Sequence, residues 1–294
     1  MRIIRAEYLG MCFGVRDAIA LAVRQSRMAP LTILGDLVHN ETVIAELRAR
    51  GIKIEQQVGN VTTPVVMATA HGASERVLNR ARQRGLNVIE ATCPLVRLAH
   101  RAVAKLARGG YHPVIIGKRD HVEVRGMTED LDEFDVVLSD EDIAKLRARQ
   151  QFGVVAQTTQ PIERARHLVR LLRERFPQSE VRFVDTVCQP TKLRQNAAIE
   201  LAQQCDVVVV IGGANSNNTH ELLKTCRRHC AHTHHVQTTD DLRAEWFTDS
   251  DTVGITAGTS TPDKLISEVQ AWLFQCVRKL ESEPANACAA AEQS

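Results

Sequence analysis

The sequence predicts an α/β protein made of three similar modules with mostly parallel sheets. Short apolar runs rich in β-branched residues alternate with amphipathic helical stretches along the 294 residues, a pattern typical of parallel strands covered by helices. Three cysteines, Cys12, Cys93 and Cys188, recur at similar intervals, each where a predicted strand gives way to a predicted helix. This recurrence predicts one cysteine per module.

The predicted strands are apolar and short, and they are, in chain order, MRIIRAEYL, LTILG, PVVMATA, NVIEAT, HPVIIG, DVVLS, FGVVAQ, VRFVDT, DVVVVIGG and TVGITAG. The helices between them have signals at both ends. Ser74 and Ser139 are predicted N-caps, because their side chains can accept a backbone N–H of the first turn. Gly51, Gly85 and Gly109 are placed to end helices.

The predicted modules are residues 1–93, 94–187 and 188–281, followed by a disordered tail at 282–294 that includes Cys288. We expect the three modules to surround a central cavity on a pseudo-threefold axis. Identity between the thirds is negligible, so the repeat is one of architecture.

Each module also offers two strands that end in polar residues. These strand-end residues are His39 and His71, then His121, Glu123 and Thr158, then Ser216, Asn217, Asn218 and Ser260. In open α/β sheets, ligands bind beyond the carboxyl ends of the strands. The strand-end residues are therefore the candidate site.

The three cysteines are the candidate metal ligands. A helix N-terminus favours an anion, so we expect each thiol to have a lowered pKa. Three thiolates meeting at one point would leave a metal centre with one open coordination position. The alternative for any one of them is a small buried hydrophobic residue.

The other strand-end residues are mostly uncharged hydrogen-bond donors, which suits a phosphate or diphosphate. Glu123 is the acidic exception, and burial would tune its pKa for proton transfer. Thr158 is placed to position a hydroxyl group. The alternatives are structural: Ser216 or Asn218 as a helix cap, and His71 as a buried hydrogen-bonding residue.

Composition excludes several classes. The net charge is only +2, and the basic residues lie scattered on helices without interleaved aromatics, which argues against a nucleic-acid surface. No apolar run is long enough for a membrane span, and the first residues lack the pattern of a signal peptide. We therefore expect a cytoplasmic protein, and in that reducing compartment its eight cysteines indicate metal binding or catalysis rather than disulfides.

The stretch CRRHCAHTHH, residues 226–235, offers a second metal hypothesis. Cys226 and Cys230 are four residues apart and could bind zinc with a histidine, but the spacing fits no standard finger. A basic, solvated helix end is the favoured interpretation.

The succession GMCFGV, VHN, AHGAS, ATCP, HVEVRG, QTT, DTVC, NSNN and TAGTSTPD resembles the 4-hydroxy-3-methylbut-2-enyl diphosphate reductases, from about residue 1 to 280. The resemblance implies three α/β modules around a cavity that holds one [4Fe-4S] cluster per chain. The cluster ligands correspond to Cys12, Cys93 and Cys188, and the fourth iron is left for the substrate hydroxyl. The implied diphosphate contacts are His39, His71, His121, Ser216, Asn217, Asn218 and Ser260.

The resemblance further implies Glu123 in proton delivery and Thr158 at the substrate hydroxyl. The implied reaction is reductive removal of an allylic hydroxyl with two electrons and two protons, giving isopentenyl and dimethylallyl diphosphates. The sequence contains no flavin or nicotinamide fingerprint, so the electrons come from outside, and the family suggests flavodoxin or ferredoxin. Two alternatives stay open: a cluster-dependent dehydratase, and a non-catalytic iron–sulfur sensor.

Overall fold

The computed structural model describes residues 1–282. Three four-stranded sheets, all parallel, run through it. The α/β class and its three modules, predicted from the alternation of strands and helices, are confirmed. The arrangement of the modules around one axis stays a prediction.

The chain forms two compact units. The continuous unit is residues 12–192, and the discontinuous unit is residues 1–11 together with the chain from residue 193 onward. The continuous unit holds two of the sheets and the discontinuous unit holds the third.

The first sheet of the continuous unit has the order β3-β2-β4-β5. Its strands are β2 (Leu31–Leu34), β3 (Lys53–Glu55), β4 (Val65–Ala68) and β5 (Asn87–Glu90). The helices along this part of the chain are α1 (Phe13–Ser26), α2 (Glu41–Ala49) and α3 (Glu75–Gln83), with a 3-10 turn at Val58–Asn60.

The second sheet of this unit has the order β7-β6-β8-β9. Its strands are β6 (His112–Ile116), β7 (Asp135–Val137), β8 (Gln151–Ala156) and β9 (Glu180–Phe183). The accompanying helices are α4 (Pro94–Arg108), α5 (Val122–Thr128), α6 (Asp140–Lys145), α7 (Ile162–Arg175) and α8 (Gln189–Ala202), the last of which crosses the boundary between the units.

The sheet of the discontinuous unit has the order β1-β12-β10-β11. Its strands are β1 (Arg2–Arg5), β10 (Val207–Ile211), β11 (His232–Val236) and β12 (Thr252–Ala257). The helices are α9 (Asn217–Arg227) and α10 (Asp263–Ser282), with 3-10 turns at Thr239–Asp241 and Ala244–Trp246.

The three sheets share one topology, in which β1 takes the edge position that β5 and β9 hold in the other two. The first strand therefore completes the sheet of the last module, although it lies in the predicted range 1–93. The predicted strand-end residues all follow the two middle strands of a sheet, where the connections diverge and a crevice opens. Each cysteine follows an edge strand.

The cores lie on both faces of each sheet. In β10, Val207, Val209 and Ile211 pack into one apolar cluster, while Val208 and Val210 pack into another. This two-sided burial explains why the middle strands are continuous apolar runs instead of alternating ones. Within residues 1–282, no helix is long and apolar enough to cross a membrane.

The predicted helix ends are largely confirmed. Ser74 accepts the N–H of Val77 at 3.2 Å, and Ser139 forms a capping box. Gly51 and Gly85 end helices with φ near +80°, but after α4 the left-handed residue is Gly110 rather than Gly109. Ser282 ends α10, and the remainder of the predicted tail, including Cys288, lies outside the described residues.

Candidate functional site

Three histidines of the continuous unit meet at one point. The rings of His39 and His71 are stacked with centroids 4.4 Å apart. The His121 ring lies 5.1 Å from His39 and 5.5 Å from His71, edge-on to both. His39 and His71 follow the middle strands of one sheet and His121 follows a middle strand of the other. Two modules therefore build this histidine cluster jointly.

All three imidazoles are held neutral. Burial lowers the pKa of His39, lowers that of His71 well below its usual range, and lowers that of His121 to about 3. The N–H of Glu123 donates to His121 Nδ1 at 3.1 Å, so the neutral His121 ring carries its proton on Nε2. The Nε2–H of His121 is therefore a hydrogen-bond donor whose tautomer is fixed by Glu123.

The cluster has unused hydrogen-bonding capacity. Among the described residues, His71 Nε2 is buried and has no hydrogen-bond partner. A buried imidazole nitrogen without a partner is unfavourable in an empty protein, so a ligand oxygen would complete it. Lys118, which the sequence analysis missed, is exposed and lies close enough to lower the pKa of His39 and of His121 further. A cation beside three donors makes the cluster suited to an anion.

Glu123 is buried, 1% exposed, and is held by Thr158, 3% exposed. The backbone N–H of Thr158 donates to Glu123 Oε1 at 2.6 Å, and the Thr158 hydroxyl donates to Oε2 at 2.9 Å. Burial raises the pKa of Glu123 to about 7, although both hydrogen bonds from Thr158 act to lower it. A carboxyl that ionises near neutral pH can give up a proton and take one back.

The three cysteines lie in the same unit. Cys12 and Cys93 are the N-cap residues of α1 and α4, and Cys188 directly precedes α8. Cys12 is near enough to affect the pKa of both other thiols, and so is Glu123. A Cβ added at Gly14 would lie 2.5 Å from Cys93 Sγ, so only glycine allows α1 this close to that sulfur.

The predicted lowering of the thiol pKa values is wrong for two of the three. Burial raises the pKa of Cys93, and raises that of Cys188 to about 11. The helix-start N–H groups of Leu95 and Val96 do act to lower the Cys93 pKa, and Thr191 does the same at Cys188, but desolvation outweighs them. The pattern of helix starts could not reveal this, because burial is a tertiary property.

The donor set of three cysteines is compatible with an iron–sulfur cubane. Within residues 1–282, no group of three or more His, Cys, Asp or Glu side chains is placed to hold one metal ion. A cubane needs no such convergence, since each thiolate binds a different iron. Three thiols in one unit, two with nearby backbone N–H groups, match the donors and hydrogen bonds of such sites.

In the discontinuous unit, the predicted polar residues gather at the ends of β10 and β12. Ser216 caps α9 by accepting the N–H of Thr219 at 3.3 Å, and Asn217 is the first residue of that helix. Asn218 Oδ1 accepts the N–H of Thr259 at 2.9 Å. Its amide nitrogen is buried without a partner in the described chain, and Ser260 is 4% exposed. Ser216 therefore caps the helix as predicted, and the amide nitrogen of Asn218 remains available to donate to a ligand.

The first part of the stretch CRRHCAHTHH is the predicted basic helix end, since α9 ends at Arg227 and the following residues Arg228 and His229 are exposed, but the second part is not helical. Cys226 and Cys230 are buried in an apolar cluster, and the Cys230 thiol donates to the carbonyl of Asp206 at 3.3 Å. The residues His232–Val236 form β11, which the sequence analysis missed because histidines obscure the apolar signal of an edge strand. The zinc hypothesis has no support from the described side chains, where no such ligand group occurs.

His100 is a further residue that the sequence analysis missed. A Cβ on Gly72 or on Gly126 would lie 3.1 Å from its ring, so His100 packs between the His71 turn and the helix that carries Glu123. Its Nε2 is buried without a partner in the part of the chain that is described. A lone histidine seven residues after a cysteine is a weak sequence signal, which explains the omission.

Comparison with known proteins gives a consistent result. Residues 3–274 match the family model described as LytB protein. A 4-hydroxy-3-methylbut-2-enyl diphosphate reductase of Pelobacter propionicus is 36% identical over 281 residues, covering 95% of this chain and 100% of the relative. The reductase of Anaeromyxobacter sp. (strain K) is 38% identical over 273 residues, covering 91% and 97%.

Two solved structures are also similar. The structure of (E)-4-hydroxy-3-methyl-but-2-enyl diphosphate reductase, described as the terminal enzyme of the non-mevalonate pathway, matches with a TM-score of 0.68 and 34% identity, covering 94% of this chain and 100% of that one. The E-1-hydroxy-2-methyl-but-2-enyl-4-diphosphate reductase from Plasmodium falciparum matches with a TM-score of 0.85 and 26% identity, covering 93% and 87%. The motifs, the three sheets and these matches agree, and the chain belongs to the LytB protein family.

Proposed function

We propose that this chain is an oxidoreductase that converts 4-hydroxy-3-methylbut-2-enyl diphosphate into isopentenyl diphosphate and dimethylallyl diphosphate. The observation that carries the proposal is the buried Glu123–Thr158 pair, which occurs in the same unit as three neutral, clustered histidines and three cysteines. The curated relatives bear the name of this activity. A reduction of this kind needs an anion site, a proton source and an electron path.

The electron path is assigned to one [4Fe-4S] cluster held by Cys12, Cys93 and Cys188. When bound, the cluster supplies low-potential electrons and a Lewis-acidic iron. Deprotonation of buried thiols with raised pKa values is unfavourable in the metal-free chain, and metal binding supplies the compensating free energy. The electrons come from an external donor such as flavodoxin or ferredoxin.

The diphosphate is assigned to His39, His71 and His121 in the continuous unit. Neutral imidazoles donate one hydrogen bond each and add no charge, so they bind phosphate oxygens by hydrogen bonding alone. The same substrate-binding role is proposed for Ser216, Asn217, Asn218 and Ser260 of the discontinuous unit, where a helix start and unpaired amide favour phosphate oxygens.

The proton is assigned to Glu123. With a pKa near 7, its carboxyl is partly protonated at neutral pH and can pass a proton to the departing hydroxyl oxygen or to the allyl carbon. Thr158 orients Glu123 with two hydrogen bonds, and we propose that its hydroxyl also positions the substrate hydroxyl. The His121 ring, tied to the N–H of Glu123, links the diphosphate group to the proton source.

The test is anaerobic purification with iron and sulfide analysis, followed by turnover of the substrate with dithionite-reduced methyl viologen. We expect about four irons per chain and formation of both products only when reductant is present. Turnover without reductant would indicate a dehydratase. A complete cluster without any turnover would indicate an iron–sulfur sensor and would overturn the proposal.

A further inference from the structure

A surface pocket of about 430 Å³ opens in the continuous unit beside Cys188. Its lining includes Leu98, Arg101, Lys105, Val184, Val187 and Cys188. The pocket thus connects one proposed cluster ligand to the outside of the protein. It lies apart from the histidine cluster, none of whose rings lines it.

The rim of this pocket is unusually apolar for an exposed surface. Leu98 is 55% exposed on α4, and Leu95, Val184 and Val187 line the pocket with it. Leu98, Arg101 and Lys105 are spaced three and four residues apart, so they share one face of α4. A contiguous apolar patch rimmed by charged side chains is typical of a protein-binding surface.

The charge at this rim is positive. Neither Arg101 nor Lys105 forms an ion pair with another side chain that the structure describes. The acidic side chain of the pocket, Asp185, is already paired with Lys192 at 2.6 Å. A partner that covers the pocket therefore meets two uncompensated cations around an apolar centre. The complementary partner is acidic.

We propose that Leu98, Arg101 and Lys105 form the docking surface for an acidic protein that carries one electron at a time, with electrons entering through Cys188. The inference rests on the proposed function, because only a reductase needs such a partner. One turnover needs two docking events, because each reduced carrier gives up one electron. One C–O bond of the substrate breaks and one C–H bond forms. Two protons are consumed, one in the new C–H bond and one in the water that is released.

The test compares the full chain with Arg101→Glu/Lys105→Glu, with Leu98→Asp, and with the matched control Arg80→Glu/Arg170→Glu. Arg80 and Arg170 are exposed on α3 and α7, away from the pocket lining. The probe is flavodoxin, and its Kd is measured by calorimetry at low and high salt. Turnover is measured with reduced flavodoxin and, separately, with reduced methyl viologen.

We expect the pocket variants to raise the flavodoxin Kd and KM about tenfold, while the control and methyl viologen turnover stay at the wild-type level. Wild-type binding should weaken as salt screens the charges. Equal flavodoxin binding by all variants would overturn the proposal, and so would salt-insensitive wild-type binding. Loss of turnover with both donors, or a dimer of this chain abolished by Leu98→Asp, would overturn it as well. If the reductase proposal itself is wrong, the wild type will be inactive with reduced methyl viologen. That result is distinct from each outcome that overturns the docking proposal.

Discussion

Thr158 holds Glu123 with two hydrogen bonds, from its backbone N–H at 2.6 Å and from its hydroxyl at 2.9 Å. The carbonyl of the same Thr158 accepts the N–H of Cys188 at 3.0 Å. One residue thus fixes the proposed proton source and ties it to the backbone of a proposed cluster ligand. Because Glu123 is nearly inaccessible to water, its proton has few destinations other than a bound substrate.

Replacement of Glu123 by glutamine should lower kcat by a factor of about 10²–10⁴. The amide oxygen can still accept the N–H of Thr158, and the amide nitrogen can donate to the Thr158 hydroxyl, but the amide cannot supply a proton. The measurement is turnover with reduced methyl viologen, together with iron content and substrate Kd, which should stay unchanged. Glu174→Gln, the same change on an exposed part of α7, is the control. Wild-type turnover in Glu123→Gln would remove Glu123 from the mechanism.

The raised pKa of Glu123 also predicts how stability depends on pH. Between the ordinary value of 4.5 and the folded value of about 7, the folded chain binds one more proton than the unfolded chain. Stability from this group is therefore complete below pH 4.5 and declines as pH rises through 7. We expect the free energy of unfolding of the cluster-free wild type to fall by about 3 kcal/mol between pH 4.5 and 8, relative to that of Glu123→Gln.

Urea unfolding of both chains at these two pH values measures that loss. The buried histidines also affect the pH dependence, because burial lowers their pKa values below those of the unfolded chain, but they contribute equally to both chains, so the difference isolates Glu123. A difference that does not change with pH would show that Glu123 ionises normally.

Each of Cys12→Ser, Cys93→Ser and Cys188→Ser should fail to retain a complete cluster. Serine is a poor ligand for iron–sulfur clusters, which are held by thiolates. Iron and sulfide analysis after anaerobic purification measures this, with Cys205→Ser as the control, since Cys205 lies in the discontinuous unit. Iron loss in Cys205→Ser that matched the other three would contradict the ligand assignment.

Gly14→Ala should weaken cluster retention without removing a ligand. The added methyl group would lie 2.5 Å from Cys93 Sγ, and relief of such crowding displaces the sulfur at a cost of about 1–3 kcal/mol. The rate of cluster bleaching by a chelator should rise. Gly59→Ala is the matched control, because its added methyl group would meet nothing within 4 Å. Identical bleaching rates in the two variants would refute the close approach.

His71→Leu should raise the substrate KM more than it lowers kcat, because it removes a donor to the diphosphate and leaves Glu123 in place. Loss of one hydrogen bond to a charged group costs about 1.5–3 kcal/mol, equivalent to a change of about ten- to hundredfold in binding. Steady-state kinetics with reduced methyl viologen measures both constants. His167→Leu, on an exposed face with Asp140, serves as the control. A fall in kcat alone would indicate a role in chemistry instead.

Much of this architecture could be predicted from local sequence. The middle strands are continuous apolar runs, and the strand-end residues follow from the direction of parallel strands. The pairing of β1 with β12 could not be predicted, because it joins residues 250 positions apart without any local signal. The strand β11 was not predicted because its three histidines interrupt the apolar pattern of a strand.

Within the site, residue identities were predictable and their environments were not. The meeting of His39, His71 and His121 follows from their positions after middle strands, whereas their lowered pKa values depend on burial. Burial also raises the pKa of Cys93 and of Cys188, whereas the sequence predicted that both would be lowered. Lys118 and His100 were missed because neither stands in a motif, and only folding brings Lys118 near His39 and His121 and packs His100 against Gly72 and Gly126.

The most direct measurement is turnover of 4-hydroxy-3-methylbut-2-enyl diphosphate in deuterated water with reduced methyl viologen, with the products analysed by mass spectrometry. Reductive dehydroxylation forms one C–H bond with a solvent proton. We expect isopentenyl and dimethylallyl diphosphates that each carry one deuterium. A diene from dehydration, products without deuterium, or unchanged substrate beside a complete cluster would contradict it.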